Sequence, residues 1–481
     1  NQIVTLDCNS SKIHRLSISQ KGKQVHFSPI LKRFMEKSPI PVMVQALLER
    51  VLSPEQLNAV FDRAVDKQYT RELLFSSLFD LMSLTVTKVF PTVNAAYQSS
   101  EVDIGVSLTS VYNKLNGLEP EVAATLIRDT AIEFKEIAKS LQGENKAWLP
   151  GYKIKVLDGN CIEATEHRLK VLRNTASAAL PGKLLVIYTP ENDIATDVIP
   201  CEDGHAQERS LLAQVREKIN KNDVFIMDRN FCVLSHLSGI ADQSAYFICR
   251  LHQQLPYETL GEPVIVGDSE TGQIAEEWIT IKGDQYKKRK WRLITVYLKK
   301  ATRDGDKKIS IITNLPESAA KASVVAIFYQ KRWSIETMFQ RLESYLHSEI
   351  NTLAYPKAAL FGFSVAVIAY NVLAVVKAAL ISVHGVDKIE NEVSGYYIAG
   401  EISRTYEGMN VAVPPEDWTV FQSMSEQEFI LILYKLAENV VLKKYKKHKR
   451  GPKKVKEKPK QIKIQPHIST ARLLKAAKKS P

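Results

Sequence analysis

Lys153-Ile154-Lys155-Val156-Leu157-Asp158 alternates polar and apolar residues and then closes on an acid. A period of two marks a β-strand with one face buried. Val224-Phe225-Ile226-Met227-Asp228 closes on an acid in the same way but is apolar throughout, as a strand covered on both faces is. Leu184–Tyr188 and Ile194–Ile199 read as two strands between them, and Gln207–Ile219 reads as an amphipathic helix. A helix over Val233–Ala241 and a strand over Ala245–Arg250 follow. Three strands, a helix, then further strands is a mixed α/β order, so the fold class is α/β with a mixed-sheet core. A strand that stops at the sheet's edge delivers its last side chain to the crevice where ligands bind. Asp158 and Asp228 are therefore candidate site residues. A single acid there is commonly a turn or capping residue; two acids in this setting are a sharper pattern.

Working outward, residues 1–147 read as helical. Ser53-Pro54-Glu55-Gln56 has a cap, a proline at the first helical position and a glutamine three residues after the cap. Amphipathic runs follow near Glu55–Asp66, Arg71–Thr87 and Glu121–Leu141. The short helix over Ser107–Leu115 suits either DNA reading in the major groove or plain packing. Residues 148–255 hold the first part of the core, and 256–316 read as a β-rich insertion with runs at Val264–Val266, Glu277–Ile281, Trp291–Leu298 and Ile309–Thr313. Residues 317–386 return to helix, 387–442 form a C-terminal helical region and 443–481 a basic tail.

Ala358–Val376 carries no charge, which is long enough to span a bilayer. Ser364, Tyr370 and Asn371 interrupt it and no second such run exists, so it is read as a core helix rather than a membrane span.

The chain of 481 residues is 45% apolar and 25% charged, ordinary for a soluble protein of two or three domains. Its net charge of +12 is local: from Lys443 on, sixteen Lys and Arg face one acid, Glu457, which gives +15 and leaves −3 for everything before. Such a block repels itself and is expected to lack structure when free. Lys446, Lys447 and Arg450 are its candidate phosphate contacts, with a steep salt dependence. The plainer alternative is a solubilising tail. The five cysteines lack CxxC spacing, which argues against a zinc site or disulfide framework and fits a reducing cytosol. No signal segment is read at the start.

The third acid lies in Tyr329-Gln330-Lys331-Arg332-Trp333-Ser334-Ile335-Glu336. At about 100° per residue an unbroken helix puts Tyr329, Arg332 and Glu336 on one narrow face. A phenol, a guanidinium and a carboxylate together suit a surface holding a metal and a phosphodiester. The alternative is an exposed face with an i,i+4 pair. Mg²⁺ prefers carboxylate oxygens and keeps several waters, so three carboxylates suffice when phosphates complete its shell.

These motifs resemble the insertion-sequence-four family of DDE transposases. Its signature Tyr-x2-Arg-x3-Glu-x6-Lys falls on Tyr329, Arg332 and Glu336. Its upstream motifs fall on Leu157-Asp158-Gly159-Asn160 and Asp228-Arg229-Asn230-Phe231. The resemblance covers about Lys153 to Asn371. It implies a ribonuclease-H-like core interrupted by a β-strand insertion between Asp228 and Glu336. It implies two Mg²⁺ ions, with Mn²⁺ as a substitute, held by Asp158, Asp228 and Glu336. Tyr329 and Arg332 are implied as contacts to the DNA backbone, and the neighbouring Arg229 and Lys331 are grouped with them. Excision through a hairpin, with a flipped base on Trp278 or Trp291, is a further implication. The expected partners are transposon ends and target DNA, the expected assembly is a homodimer on DNA without a membrane, and the expected location is the cytoplasm, at the nucleoid. The signature fails at its last place, where Glu343 stands for Lys; Arg341 is nearby in sequence but falls off the face. Two rivals remain: an inactive relative that binds DNA ends, and a structure-selective nuclease. His205-x-x-Glu208 fits helix capping or support of the site, and Cys161 and Cys232 read as small core residues.

Overall fold

The structure, a computed structural model, describes residues 27–66, 72–143, 147–282, 289–302, 305–448 and 467–479, with only the backbone of 101–103. Arg450 lies outside the described residues.

The strands are β1 (Lys153–Cys161), β2 (Ala178–Leu180), β3 (Lys183–Thr189), β4 (Ile194–Cys201), β5 (Asp223–Met227), β6 (Tyr246–Arg250), β7 (Tyr257–Thr259), β8 (Val264–Asp268), β9 (Gly272–Ile281), β10 (Lys290–Leu298), β11 (Lys308–Thr313) and β12 (His467–Ser469). The main sheet runs β4-β3-β1-β5-β6-β11-β10-β9-β7, with β8 also on β9. β1, β3 and β4 are antiparallel neighbours. β5 lies parallel to β1, and β6 parallel to β5. The β-rich insertion joins this sheet directly, because β11 pairs with β6.

Alternation along each strand divides the core between two faces. Val156, Val224, Ile226 and Ile248 point into one apolar cluster. Leu157, Phe225, Met227 and Phe247 point into the other, with Leu212, Val215, Leu237 and Ile240 from the crossover helices. Every residue of β5 is buried, which accounts for its unbroken apolar run.

The helix Pro356–His384 is the axis of the first cluster, and 89% of its apolar window is buried. That is the setting of a core helix. The helices between Pro29 and Ser140 pack into the same cluster rather than closing a core of their own. Ser53 forms the expected capping box with Gln56.

The basic tail differs from expectation. His467–Ser469 pairs with β2 in parallel, and Thr470–Lys479 is a helix. Leu473 and Leu474 pack beside Leu169 and Leu172, so this end of the tail has an apolar face. Reading the whole block by its charge hid that periodicity.

Candidate active site

Leu157 and Met227 are the last partners in the parallel ladder of β1 and β5. Asp158 and Asp228 follow immediately, so they leave neighbouring strands side by side; such strands lie about 4.8 Å apart. Asp228 ends its strand as expected. Asp158 does not: β1 runs on to Cys161 against β3, with Asp158 opposite Val186. Asp228 instead caps the turn Arg229–Phe231, accepting from the Asn230 N–H at 3.3 Å.

The Tyr329–Glu336 segment is not one helix. Ala322–Gln330 and Trp333–Tyr345 meet at Lys331-Arg332. There the N–H groups of Arg332, Ser334 and Ile335 bond three residues back, to Tyr329, Lys331 and Arg332. This tightening turns Arg332 toward the sheet. The approach is fixed by Arg292 of β10, which is buried, pairs with Glu276 at 2.5 Å and donates to the carbonyls of Leu315 and Ala320 just before the helix.

Arg332 joins the acids. Its Nη1 donates to Asp158 Oδ2 at 2.6 Å and its Nη2 to Glu336 Oε1 at 2.9 Å. Burial opposes its charge, but Asp158, Tyr329, Asp228 and Glu336 outweigh that and raise its pKa. The Asp158 carboxyl is pushed up to about 6, chiefly by burial, with Glu208 and Asp228 adding to the rise and Arg332 and the Gly159 N–H opposing it. The Tyr329 phenol is pushed up to about 12, mainly by burial, and feels Arg332 and Asp228. The predicted phenol, guanidinium and carboxylates therefore share one electrostatic neighbourhood.

Glu208 was a weak signal in the sequence and is a firm one in space. A side chain on Gly159 would put its Cβ 2.2 Å from Glu208 Oε1. The glycine after Asp158 is what lets this fourth carboxylate come close.

The remaining candidates divide. Arg229 is exposed beside Asp228. Lys331 is exposed with its Nζ 4.5 Å over the Trp148 ring. The expectation for Trp291 is corrected: it is 2% exposed and packs edge-on against Phe247, so no base can reach it. Trp278 on the neighbouring strand is 45% exposed. Trp333, which sequence reasoning passed over, is 61% exposed, with the Arg332 guanidinium over its ring. Cys161 is exposed rather than a core residue, whereas Cys232 is buried. Lys446 bridges Val393 through its backbone, and Lys447 donates its Nζ to the Glu390 carbonyl. Glu343 is exposed, and its charge helps raise the Glu349 carboxyl, after burial as the main cause. Arg341 is off the site, in a buried network with Asp193 and Tyr370.

Among the described residues, no three His, Cys, Asp or Glu side chains converge as metal ligands. The guanidinium of Arg332 stands between Asp158 and Glu336 as their cation. Asp158 and Glu336 are oxygen donors of the kind a hard divalent ion takes, and Arg332 fills the place between them.

Asp158 within β1 and Asp228 just past β5 lie side by side, and Arg332 ties Asp158 to the helix-borne Glu336. Residues 149–372 match the family model described as Transposase DDE domain. A similar protein is a probable transposase for insertion sequence element IS5377 from Geobacillus stearothermophilus, 23% identical over 198 residues. The match covers 40% of this chain and 48% of the relative, so the chain spans about half that relative's length. A piggyBac transposase synaptic complex with hairpin DNA aligns at TM-score 0.36 and 12% identity, over 80% of this chain and 87% of that one.

Proposed function

We propose that the chain is a DNA transposase that cleaves strands at transposon ends and joins them to target DNA through Asp158, Asp228 and Glu336. The observation that carries this is Asp158 and Asp228 side by side, with Arg332 joining Asp158 to Glu336. The strand order β4-β3-β1-β5-β6, with β5 and β6 parallel to β1, supports a ribonuclease-H-like core.

The three carboxylates would hold two Mg²⁺ ions, which supply an activated oxygen nucleophile and stabilise the leaving oxygen at phosphorus. Arg332 holds the acids together in the absence of DNA and is placed to bind a phosphodiester oxygen, for which its planar fork is suited. Tyr329 keeps its proton at neutral pH and so donates, rather than accepts, toward a phosphate. Arg229 and Lys331 contact the backbone from the exposed rim. Excision by a hairpin, a homodimer on DNA and a nucleoid-associated, cytoplasmic site of action complete the reading.

The test is strand cleavage on cognate end DNA with Mg²⁺ or Mn²⁺. Asp158→Ala, Asp228→Ala and Glu336→Ala each abolish cleavage and leave DNA retention in a gel within about twofold. A variant that cuts at the native rate removes its residue from the site. Exposed Glu343, where the signature has a cation, favours a second reading, a DNA-end binder without activity. Under that reading the native chain retains end DNA and never nicks it.

A further inference from the structure

We propose that the C-terminal helix Thr470–Lys479 is a docked DNA clamp beside the cleavage site, binding the phosphate backbone of the duplex that the site holds. This rests on the transposase reading above.

The helix is amphipathic at close quarters. On a wheel of about 100° per residue, Leu473, Leu474 and Ala477 fall on one side, and Arg472, Lys475 and Lys479 fall opposite, with Lys478 on the flank. Leu473 and Leu474 are partly covered in the cluster with Leu169, Leu172, Ala179 and Ala354, while the four cations are exposed. β12 fixes the start of the helix through its ladder with β2, from His467↔Ala178 to Ser469↔Leu180. Arg472 Nε reaches Asp203 Oδ2 at 2.8 Å, so one cation serves as an anchor. Lys475, Lys478 and Lys479 have no acid in ion-pair range among the described residues.

The place matters as much as the charge. The segment clasped by the helix is the one that continues from β1 past Asp158, and it presents exposed Lys170 and Arg173 next to the helix. Asp203 lies five residues before Glu208, whose carboxylate touches Gly159. Five residues of chain reach at most about 18 Å. The helix is thus anchored on the loop that runs on to Glu208 beside Asp158. A disordered solubilising tail has no need of an apolar face, a strand ladder or an anchoring ion pair. A surface that positions phosphates needs all three, because a cation held in place loses less freedom when it binds.

The probe is a 40-base-pair fluorescein-labelled duplex, with binding measured by anisotropy across a salt series. In the full chain, Lys475→Ala, Lys478→Ala and Lys479→Ala together weaken binding at least tenfold at low salt. They also make the slope of log K against log salt shallower by about 2.7, the value for three phosphate contacts. Leu473→Ala with Leu474→Ala keeps every charge but undocks the helix. It reproduces most of that loss if docking is what positions the cations. Full loss in the lysine variant with native binding in the leucine variant means a floating basic tail, and overturns the clamp. Native binding in both variants also overturns it. A native chain that binds no duplex at all fails the transposase reading instead. The melting temperature of both variants matches the native chain, since residues 470–479 sit outside the two large cores.

Discussion

Arg332 and Asp158 make a 2.6 Å ion pair across 174 residues of sequence, and that pair ties the glutamate-bearing helix to the central strand. The same guanidinium holds Glu336 at 2.9 Å. One cation therefore restrains two of the three acids while its Nε has no partner among the described residues. A site that must accept a phosphodiester gains from such a group, because the fork is already in place when negative charge arrives.

Arg332→Ala is expected to lower the cleavage rate by on the order of 10²-fold, the loss typical of a positioned donor at a developing anion. Arg332→Lys does not restore it, because a single ammonium cannot bridge Asp158 and Glu336. Single-turnover cleavage checks both. A lysine variant at near-native rate removes the bridging role and leaves only charge.

Asn371 predicts a stability cost far from the chemistry. It sits fully buried in the Pro356–His384 helix, donates Nδ2 to the Ala195 carbonyl at 2.8 Å and accepts from the Ala195 N–H at 2.9 Å. It thereby completes the ladder of edge strand β4. Asn371→Leu strands two backbone groups and costs about 2–4 kcal/mol. The urea midpoint measures it; a loss below about 0.5 kcal/mol contradicts the edge-capping account.

That residue also marks the limit of what the chain discloses by itself. Asn371 was visible as an interruption of an apolar run, which separated a core helix from a membrane span, but its partner at Ala195 lies on another element. Asp228 at the end of its strand was legible because an unbroken apolar run is local, whereas β1 runs on past Asp158 because its pairing with β3 lies on another element. The bridge through Arg332 was not legible, because it depends on a tightened turn at Lys331-Arg332 that the helix periodicity passes over. Trp278 and Trp291 lie on adjacent strands, with Trp278 opposite Arg292. Trp291 is opposite Ile279, so the two rings point to opposite faces; which of them is covered depends on what packs against each face, and no local pattern carries that information. The last helix was lost inside a block read only by its charge.

His236 gives a pH dependence with a defined sign. It is fully buried on the helix Leu234–Asp242, and neither ring nitrogen has a partner among the described residues. Burial, helped by Arg216, pushes its pKa down to about 4. The unfolded chain takes up the proton near pH 6.5, and the folded one does so only near 4. The stability contribution is thus complete above about 6.5 and is lost as pH falls toward 4, by about 3 kcal/mol in all. His236→Leu removes that slope. Equilibrium unfolding at pH 7.5, 6 and 5 tests it, and an unchanged slope in the variant assigns the dependence to other groups.

Gly143 makes the last prediction, and it separates two uses of glycine at a helix end. After the helix Pro120–Ser140 the left-handed position is taken by Gln142, with φ 54°. Gly143, one residue later, is there for a different reason. A Cβ on it would lie 2.2 Å from the Ala378 carbonyl oxygen and 2.7 Å from Ala378 Cα, both backbone atoms of the central helix. Neither can move without shifting the core. Gly143→Ala is therefore expected to destabilise by about 1–3 kcal/mol through overpacking. Gln142→Gly relieves a left-handed non-glycine residue and is expected to be neutral or stabilising by up to about 1 kcal/mol. Melting temperatures of the two single variants decide the matter. If Gly143→Ala melts with the native chain, the N-terminal helices do not press on the central helix at this point. The contact between Pro120–Ser140 and the central helix then rests on side chains rather than on this close backbone approach.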